Sequence, residues 1–139
     1  MAVAEYLADK SAYARLHLPP VYDRLAPLIE RGLVATCSLV DLEILFSTRT
    51  AAEYDTVRAE REAFERLDIE QSEWDRALDV QTELAHRGLL RAVSLPDLVI
   101  AAVAERHRVT LLHYDHDFDY VQAITSQTME WIQPAGTIP

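Results

Sequence analysis

A second cysteine is missing: Cys37 stands alone among 139 residues, so no intrachain disulfide can form and a reducing compartment suits the chain. Long apolar runs are missing too, since none approaches the ~18 residues needed to cross a bilayer. The first apolar stretch carries Glu5 and Asp9 and has no basic start, so no signal peptide is expected. Positive charge is in short supply. With 13 basic against 23 acidic residues the net charge is −10, which excludes a protein that grips nucleic acid through a broad basic surface. Any nucleic acid would be engaged locally. Only three glycines and six prolines interrupt the chain, and no Ser/Gly-rich or like-charge block marks a linker, repeat or low-complexity segment. Residues 1–139 therefore read as one continuous domain, long enough to bury ~68% of the surface its unfolded form exposes. A soluble, cytoplasmic globule is expected.

The elements alternate. Val3 to Ala8 reads as a buried strand ending at Asp9, and Pro19 to Glu30 as a helix with Val21, Leu25, Leu28 and Ile29 on one stripe and Gly32 as its stop. Leu33 to Cys37 reads as a second strand. Ser38 is an N-cap candidate for a helix over Leu39 to Thr48 that is apolar on most sides except at Asp41 and Glu43, the pattern of a buried helix. Residues 51–66 read as a charged helix covering the core from outside, with Tyr54, Val57 and Phe64 inward. Ser72 is expected to cap the next helix, where Trp74, Leu78, Gln81 and Leu84 keep helical period until Gly88. Another helix starts at Ser94–Leu95–Pro96 and runs through the apolar Leu98–Ala104. Val109 to His113 reads as a strand leading into Asp115, and Met129 to Ile132 as the last strand. Strands alternating with helices at this spacing predict an α/β fold, a mostly parallel sheet covered on both faces.

Geometry then brings acids together. The helix from Asp97 to about His107 advances ~16 Å at 1.5 Å per residue, and the strand from Val109 to Tyr114 covers a similar ~18–20 Å. If the strand runs back against the helix, Asp97 and Asp115 finish at the same end, the carboxyl edge of the sheet. Asp9 follows the first strand and arrives at that edge. Glu43, in the second turn of the helix after the second strand, is held just above it.

Four converging carboxylates repel one another and resist ionisation without a positive charge among them. Lys10 is the only cation near them in sequence, so a divalent cation is the natural counter-charge. An all-oxygen donor set selects Mg²⁺ or Mn²⁺ over zinc, and such sites serve phosphate chemistry. Each acid has a plainer reading when taken singly: Asp9 as a helix cap, Asp97 as a first-turn acid favoured by the helix dipole, Asp115 and Asp117 as turn formers. Glu43 resists one, because Leu39, Val40 and Phe46 around it are apolar and burying a polar group unpaired costs on the order of 2–7 kcal/mol.

The segments YLADKSA (6–12), TCSLVDLEILFS (36–47), SLPDLVIAA (94–102) and LLHYDHDFDYV (111–121), in this order and spacing, resemble the PIN-domain ribonucleases, and within them the VapC toxins of bacterial toxin–antitoxin pairs. The resemblance implies a PIN-like single domain. It places Asp9, Glu43, Asp97 and Asp115 at the family's acidic positions, with Asp117 a neighbour that reaches the metal directly or through water. It also implies Mg²⁺- or Mn²⁺-dependent hydrolysis of single-stranded regions of RNA to a 5′-phosphate and a 3′-hydroxyl, a cognate antitoxin that lays a basic side chain into the acidic groove, and a homodimer. One position departs from the pattern: the family more often has a hydroxyl residue straight after the first aspartate, and this chain has Lys10. Either Ser11 supplies that hydroxyl or Lys10 contacts RNA phosphate.

Other features are expected to be structural. Asp115–Asp119 begins like a calcium loop, but Tyr120 replaces the required glycine and Ser126 the closing acid. His113 and His116 lack zinc-site spacing, and Cys37 reads as a small buried apolar residue. Arg15, Arg49, Arg58 and Arg61 fit an RNA path or solvated helix faces equally well. Trp74 and Trp131 read as core or interface anchors. Two other functions fit the acids: a structure-specific DNA nuclease or phosphatase using the same metal site, and a non-catalytic acidic module that binds a basic partner.

Overall fold

A computed structural model describes residues 2–139. Along the chain run β1 (Tyr6–Ala8), α1 (Lys10–Tyr13), α2 (Pro19–Glu30), β2 (Val34–Thr36), α3 (Ser38–Phe46), α4 (Ala51–Glu62), β3 (Glu65–Arg66), α5 (Gln71–His86), α6 (Leu95–His107), β4 (Thr110–His113), α7 (Asp117–Thr125) and β5 (Met129–Trp131). The five strands form one sheet in the order β3-β2-β1-β4-β5, and every neighbouring pair is parallel. Side chains alternate across it. Leu7, Ala35 and Leu111 enter one core with α5, α6 and α7, whereas Ala8, Val34 and Leu112 enter the other with Val21 and Leu25 of α2. Covering both faces is why these strands read as continuous apolar runs. The all-round apolar α6 is likewise enclosed, buried from Asp97 to Ala104. No helix among the described residues is long and apolar enough to cross a membrane.

The chain leaves β1 towards β2 and β3, then returns to the other side of β1 for β4 and β5. The carboxyl edge between β1 and β4 is therefore the switch point, where neighbouring connections diverge and open α/β sheets leave a crevice. Gly32 and Gly88 close α2 and α5 with positive φ, at 70° and 74°, as the sequence leads one to expect.

Several boundaries differ from expectation for physical reasons. The first strand starts at Tyr6 rather than Val3, because the Val3 and Ala4 N–H groups donate to the Glu65 carboxylate and leave Val3 exposed. The segment over 51–66 is not one helix: α4 stops at Glu62 and Glu65–Arg66 becomes the edge strand. The break lets Phe64 meet the Tyr13 ring edge-on and buries Leu67, whose N–H donates to the Thr36 carbonyl at 2.8 Å. Ser38 is the first residue of α3 rather than its cap, with Cys37 in the cap position. The α5 cap is Glu70 rather than Ser72, its N–H donating to Glu73 Oε2. On that helix the buried stripe is Glu73, Ala77, Val80 and Leu84, while Trp74 and Leu78 stay exposed. Glu73 takes an inner position because Arg106 pairs with it, so Trp74 is not a core anchor. Two short helices, α1 and α7, were not anticipated.

Candidate active site

Each acid is set by a local device at the switch point. Asp9 leaves β1 in extended conformation, its N–H donates to the Leu112 carbonyl (2.9 Å), and its Oδ2 accepts the Ser11 N–H (2.9 Å), which caps α1. The Ser11 hydroxyl oxygen accepts the Tyr114 N–H at 2.9 Å. The loops after β1 and β4 are thereby braced together. Asp97 sits in the first turn of α6, with its N–H directed at Ser94 Oγ. Asp115 lies two residues beyond β4, where its N–H donates to His113 Nδ1 (3.1 Å) and its Oδ1 accepts the Asp117 N–H (2.9 Å). His113 is buried between the Phe118 and Trp131 rings. Burial first of all drives its pKa down to about 4, so it is neutral at pH 7 and, accepting through Nδ1, carries its proton on Nε2.

Three of the four convergent acids form a tight group. Asp9, Glu43 and Asp97 each offer a carboxylate oxygen within 4.8 Å of the others. Asp115 groups instead with His116 and Asp117, yet its charge reaches Asp9 and Asp97. Burial is the main force on these carboxyls. It pushes Asp97 up to about 7, with the charges of Asp9, Glu43 and Asp115 adding to it and Ser94 opposing it. It raises Asp9, against the hydrogen bonds from Ser11 and with the help of Asp115. Glu43 is raised by burial and by Asp9, against the charge of Lys10, and Asp117 by burial and then Asp115.

Two site oxygens, Asp9 Oδ1 and Glu43 Oε1, are buried without a hydrogen-bond partner. Orphaned acceptors in a cluster of like charge are what a cation would satisfy. The donors are all oxygen, so the residues fit a hard divalent ion such as Mg²⁺ or Mn²⁺.

The family model for the PIN domain matches residues 6–124, spanning all the acids just described. The chain belongs to the VapC branch of the PIN-domain family. It is 46% identical over 133 residues to Ribonuclease VapC21 of Mycobacterium tuberculosis, covering 95% of this chain and 96% of the relative. To Ribonuclease VapC51 of the same organism it is 42% identical over 134 residues, covering 96% and 97%. Its fold is similar to that of VapBC2 from Rickettsia felis bound to a promoter DNA fragment, at a TM-score of 0.71 with 19% identity, over 90% of this chain and 96% of the other.

The structure of this PIN domain also corrects the reading of the arginines. Arg61 does not line a surface path. It is buried, its Nε donates to Asp41 Oδ1 at 3.0 Å and one terminal nitrogen to Thr36 Oγ1 at 3.0 Å. Its guanidinium lies 4.5 Å and 4.2 Å from the Tyr13 and Phe64 ring centroids. Arg66 holds the other Asp41 oxygen at 2.7 Å. Asp41 looked like a gap in an apolar helix, and its partner twenty residues away leaves no periodic trace. Arg15 is spent on the Ser11 and Pro139 carbonyls, and Arg58 pairs with Glu62 on its own helix. Cys37 is buried as expected. Asp117 opens α7 instead of continuing a calcium loop.

Proposed function

We propose that this PIN domain is a metal-dependent endoribonuclease, the toxin of a toxin–antitoxin pair, which hydrolyses RNA phosphodiesters in the cytoplasm to a 5′-phosphate and a 3′-hydroxyl. The observation that carries the reading is the trio of buried Asp9 and Asp97 with half-buried Glu43, with ligand atoms within 4.8 Å of one another and orphaned oxygens on Asp9 and Glu43. Kinship with proteins named Ribonuclease VapC selects RNA among the phosphodiesters such a site suits.

In this reading Asp9 and Asp97, with Asp115 and Asp117 beside them, hold the divalent ion. When bound, Mg²⁺ or Mn²⁺ supplies Lewis-acid polarisation of the phosphate and charge compensation for the leaving oxygen. Glu43, with a proton affinity raised by burial, takes the proton of the attacking water. The water oxygen bonds to phosphorus, the P–O3′ bond breaks, and the 3′ oxygen leaves with a proton from solvent. His113 holds Asp115 in place and does not exchange a proton.

The purified protein is expected to cut total RNA with Mg²⁺ or Mn²⁺, to stop on addition of EDTA, and to lose about 10²–10³-fold in rate in Asp9→Asn while keeping its circular dichroism. Preferential cutting of DNA or release of phosphate from monoesters would contradict the ribonuclease reading.

The partners follow from the same reading. A cognate antitoxin brings a basic side chain to the acidic edge. A second copy of the chain is assigned to a different face, a groove of about 350 Å³ lined by Leu39, Trp74, Leu78, Leu95 and Val99. That lining offers little to a basic segment and suits its own apolar image. Trp74→Glu is expected to convert the dimer to a monomer in light scattering at little cost in stability, because Trp74 is exposed within one subunit. A dimer that persists in this variant would place the interface elsewhere.

A further inference from the structure

The segment after β5, residues 133–139, runs through turns and bends without joining the sheet, and it is fastened at both ends. The Gln133 side-chain amide donates to the Pro20 carbonyl at 3.1 Å. At the other end, the Tyr114 hydroxyl donates to the Ile138 carbonyl at 2.9 Å and accepts the Ile138 N–H at 3.1 Å, while Arg15 Nε donates to the main-chain oxygen of Pro139 at 2.7 Å. Arg15 also holds the Ser11 carbonyl at 2.8 Å and lies 4.6 Å over the Tyr114 ring, which Trp131 meets edge-on at 5.2 Å. These ties lead directly to the acids. The Tyr114 N–H donates to Ser11 Oγ and the Ser11 N–H to Asp9 Oδ2, each at 2.9 Å, and Asp115 is the residue after Tyr114. One buried tyrosine thus joins residues 133–139 to the loops that carry Asp9 and Asp115.

We propose that residues 133–139 form a strap that holds the loops after β1 and β4 at the spacing the divalent ion requires, and that Tyr114 is the positioning residue that couples this strap to Asp9 and Asp115. This rests on the metal-dependent reading of the site. Before the ion binds, the carboxylates on the two loops repel each other, and Asp115 lies in a stretch that belongs to no strand or helix. Something other than the acids must therefore keep the loops together. A tyrosine suits the task, because its hydroxyl donates and accepts at once and so grips both polar groups of Ile138, whereas phenylalanine would keep the ring and lose the grip. Ligand loops arranged in advance lose little freedom when the ion arrives, so the strap acts on metal affinity. Partners one layer outside the ligands typically change that affinity by about 10–100-fold. The ligands themselves stay intact without the strap, and excess ion then compensates for its loss.

The test compares wild type, Tyr114→Phe, Ile138→Gly and Val80→Ala. Ile138→Gly loosens the strap without altering either loop, and Val80, buried on α5 in the core on the other face of the sheet, controls for a general loss of stability. All three variants are expected to melt a few degrees below wild type. Calorimetric titration with Mn²⁺ alone, without RNA, is expected to show about tenfold weaker binding in Tyr114→Phe and Ile138→Gly and wild-type binding in Val80→Ala. In EDTA the amides of residues 114–117 should exchange hydrogen about tenfold faster in the two strap variants, and saturating Mn²⁺ should restore their protection and bring the cleavage rate back near that of wild type. Wild-type Mn²⁺ affinity and exchange in both strap variants, an equal loss of affinity in Val80→Ala, or a rate that excess Mn²⁺ does not restore would each overturn the strap. If wild type binds Mn²⁺ but cuts no RNA, the ribonuclease reading fails by itself while titration and exchange still decide the role of Tyr114. If wild type takes up no Mn²⁺, the metal-dependent reading fails, and exchange in EDTA alone decides whether the strap holds the two loops.

Discussion

Asp97→Asn is expected to raise the melting temperature of the metal-free protein at pH 8 by roughly 5–10 °C while reducing cleavage about 10²–10³-fold. The reason is the carboxyl pushed up to about 7 by burial and by the charges of Asp9, Glu43 and Asp115. In the unfolded chain the same group ionises near its ordinary value of 3.8. Below that value it is protonated in both states and costs nothing. As pH rises from 4 through 7 the unfolded state releases its proton more readily than the native state does, so native stability falls. Three pH units correspond to an upper limit of about 4 kcal/mol, fully imposed above pH 7. Asparagine carries no such charge. Thermal melts in EDTA from pH 5 to pH 8 should therefore fall steeply for wild type and more gently for the variant. With Mn²⁺ the order reverses at pH 8, because the ion stabilises only the chain that binds it. Parallel pH profiles for the two proteins would show that Asp97 is not ionised at a cost in the native state.

Asp41→Ala carries the largest expected loss of stability. Arg61 and Asp41 are 5% and 6% exposed, and the carboxylate also accepts the Thr36 hydroxyl at 2.7 Å. Removing it strands a guanidinium between two aromatic rings with one acceptor left, a situation that costs about 3–5 kcal/mol. For a chain of this length that is a drop of about 10–15 °C in melting temperature. The double variant Asp41→Leu/Arg61→Met should recover most of the loss, since replacing both partners leaves no buried charge. A double variant as unstable as Asp41→Ala would mean that the pair contributes through shape rather than through charge. Because Glu43 lies on the same helix two residues on, variants that remain folded should also cleave more slowly.

Much of the site was legible in the chain. The lengths of α6 and β4 nearly cancel, which returns Asp115 to the level of Asp97, and a strand ending at Asp9 meets them at the same edge. Glu43 drew attention through its apolar neighbours, and its orphaned oxygen bears out the tension they implied. Other features had weaker signals or none. The spacing of Phe118 and Val121, both buried on α7, marks a helical face that the run of aspartates obscured. In α5 two stripes compete, and the one through Trp74 and Leu78 is the more apolar. The one through Glu73 won because Arg106, on α6, neutralises that glutamate.

What the sequence determined by itself was the alternation of elements, the burial of both sheet faces and the arrival of the acids at one edge. Each depends on residues a few positions apart, and helical or strand period records those directly. Tertiary structure alone decided that Glu43 and not Asp115 completes the tight trio, that Arg61 is buried against Asp41, and that Trp74 faces outward. These depend on which strands are neighbours in the order β3-β2-β1-β4-β5. That order follows from the free energy of the whole core, to which no single stretch of chain holds the key.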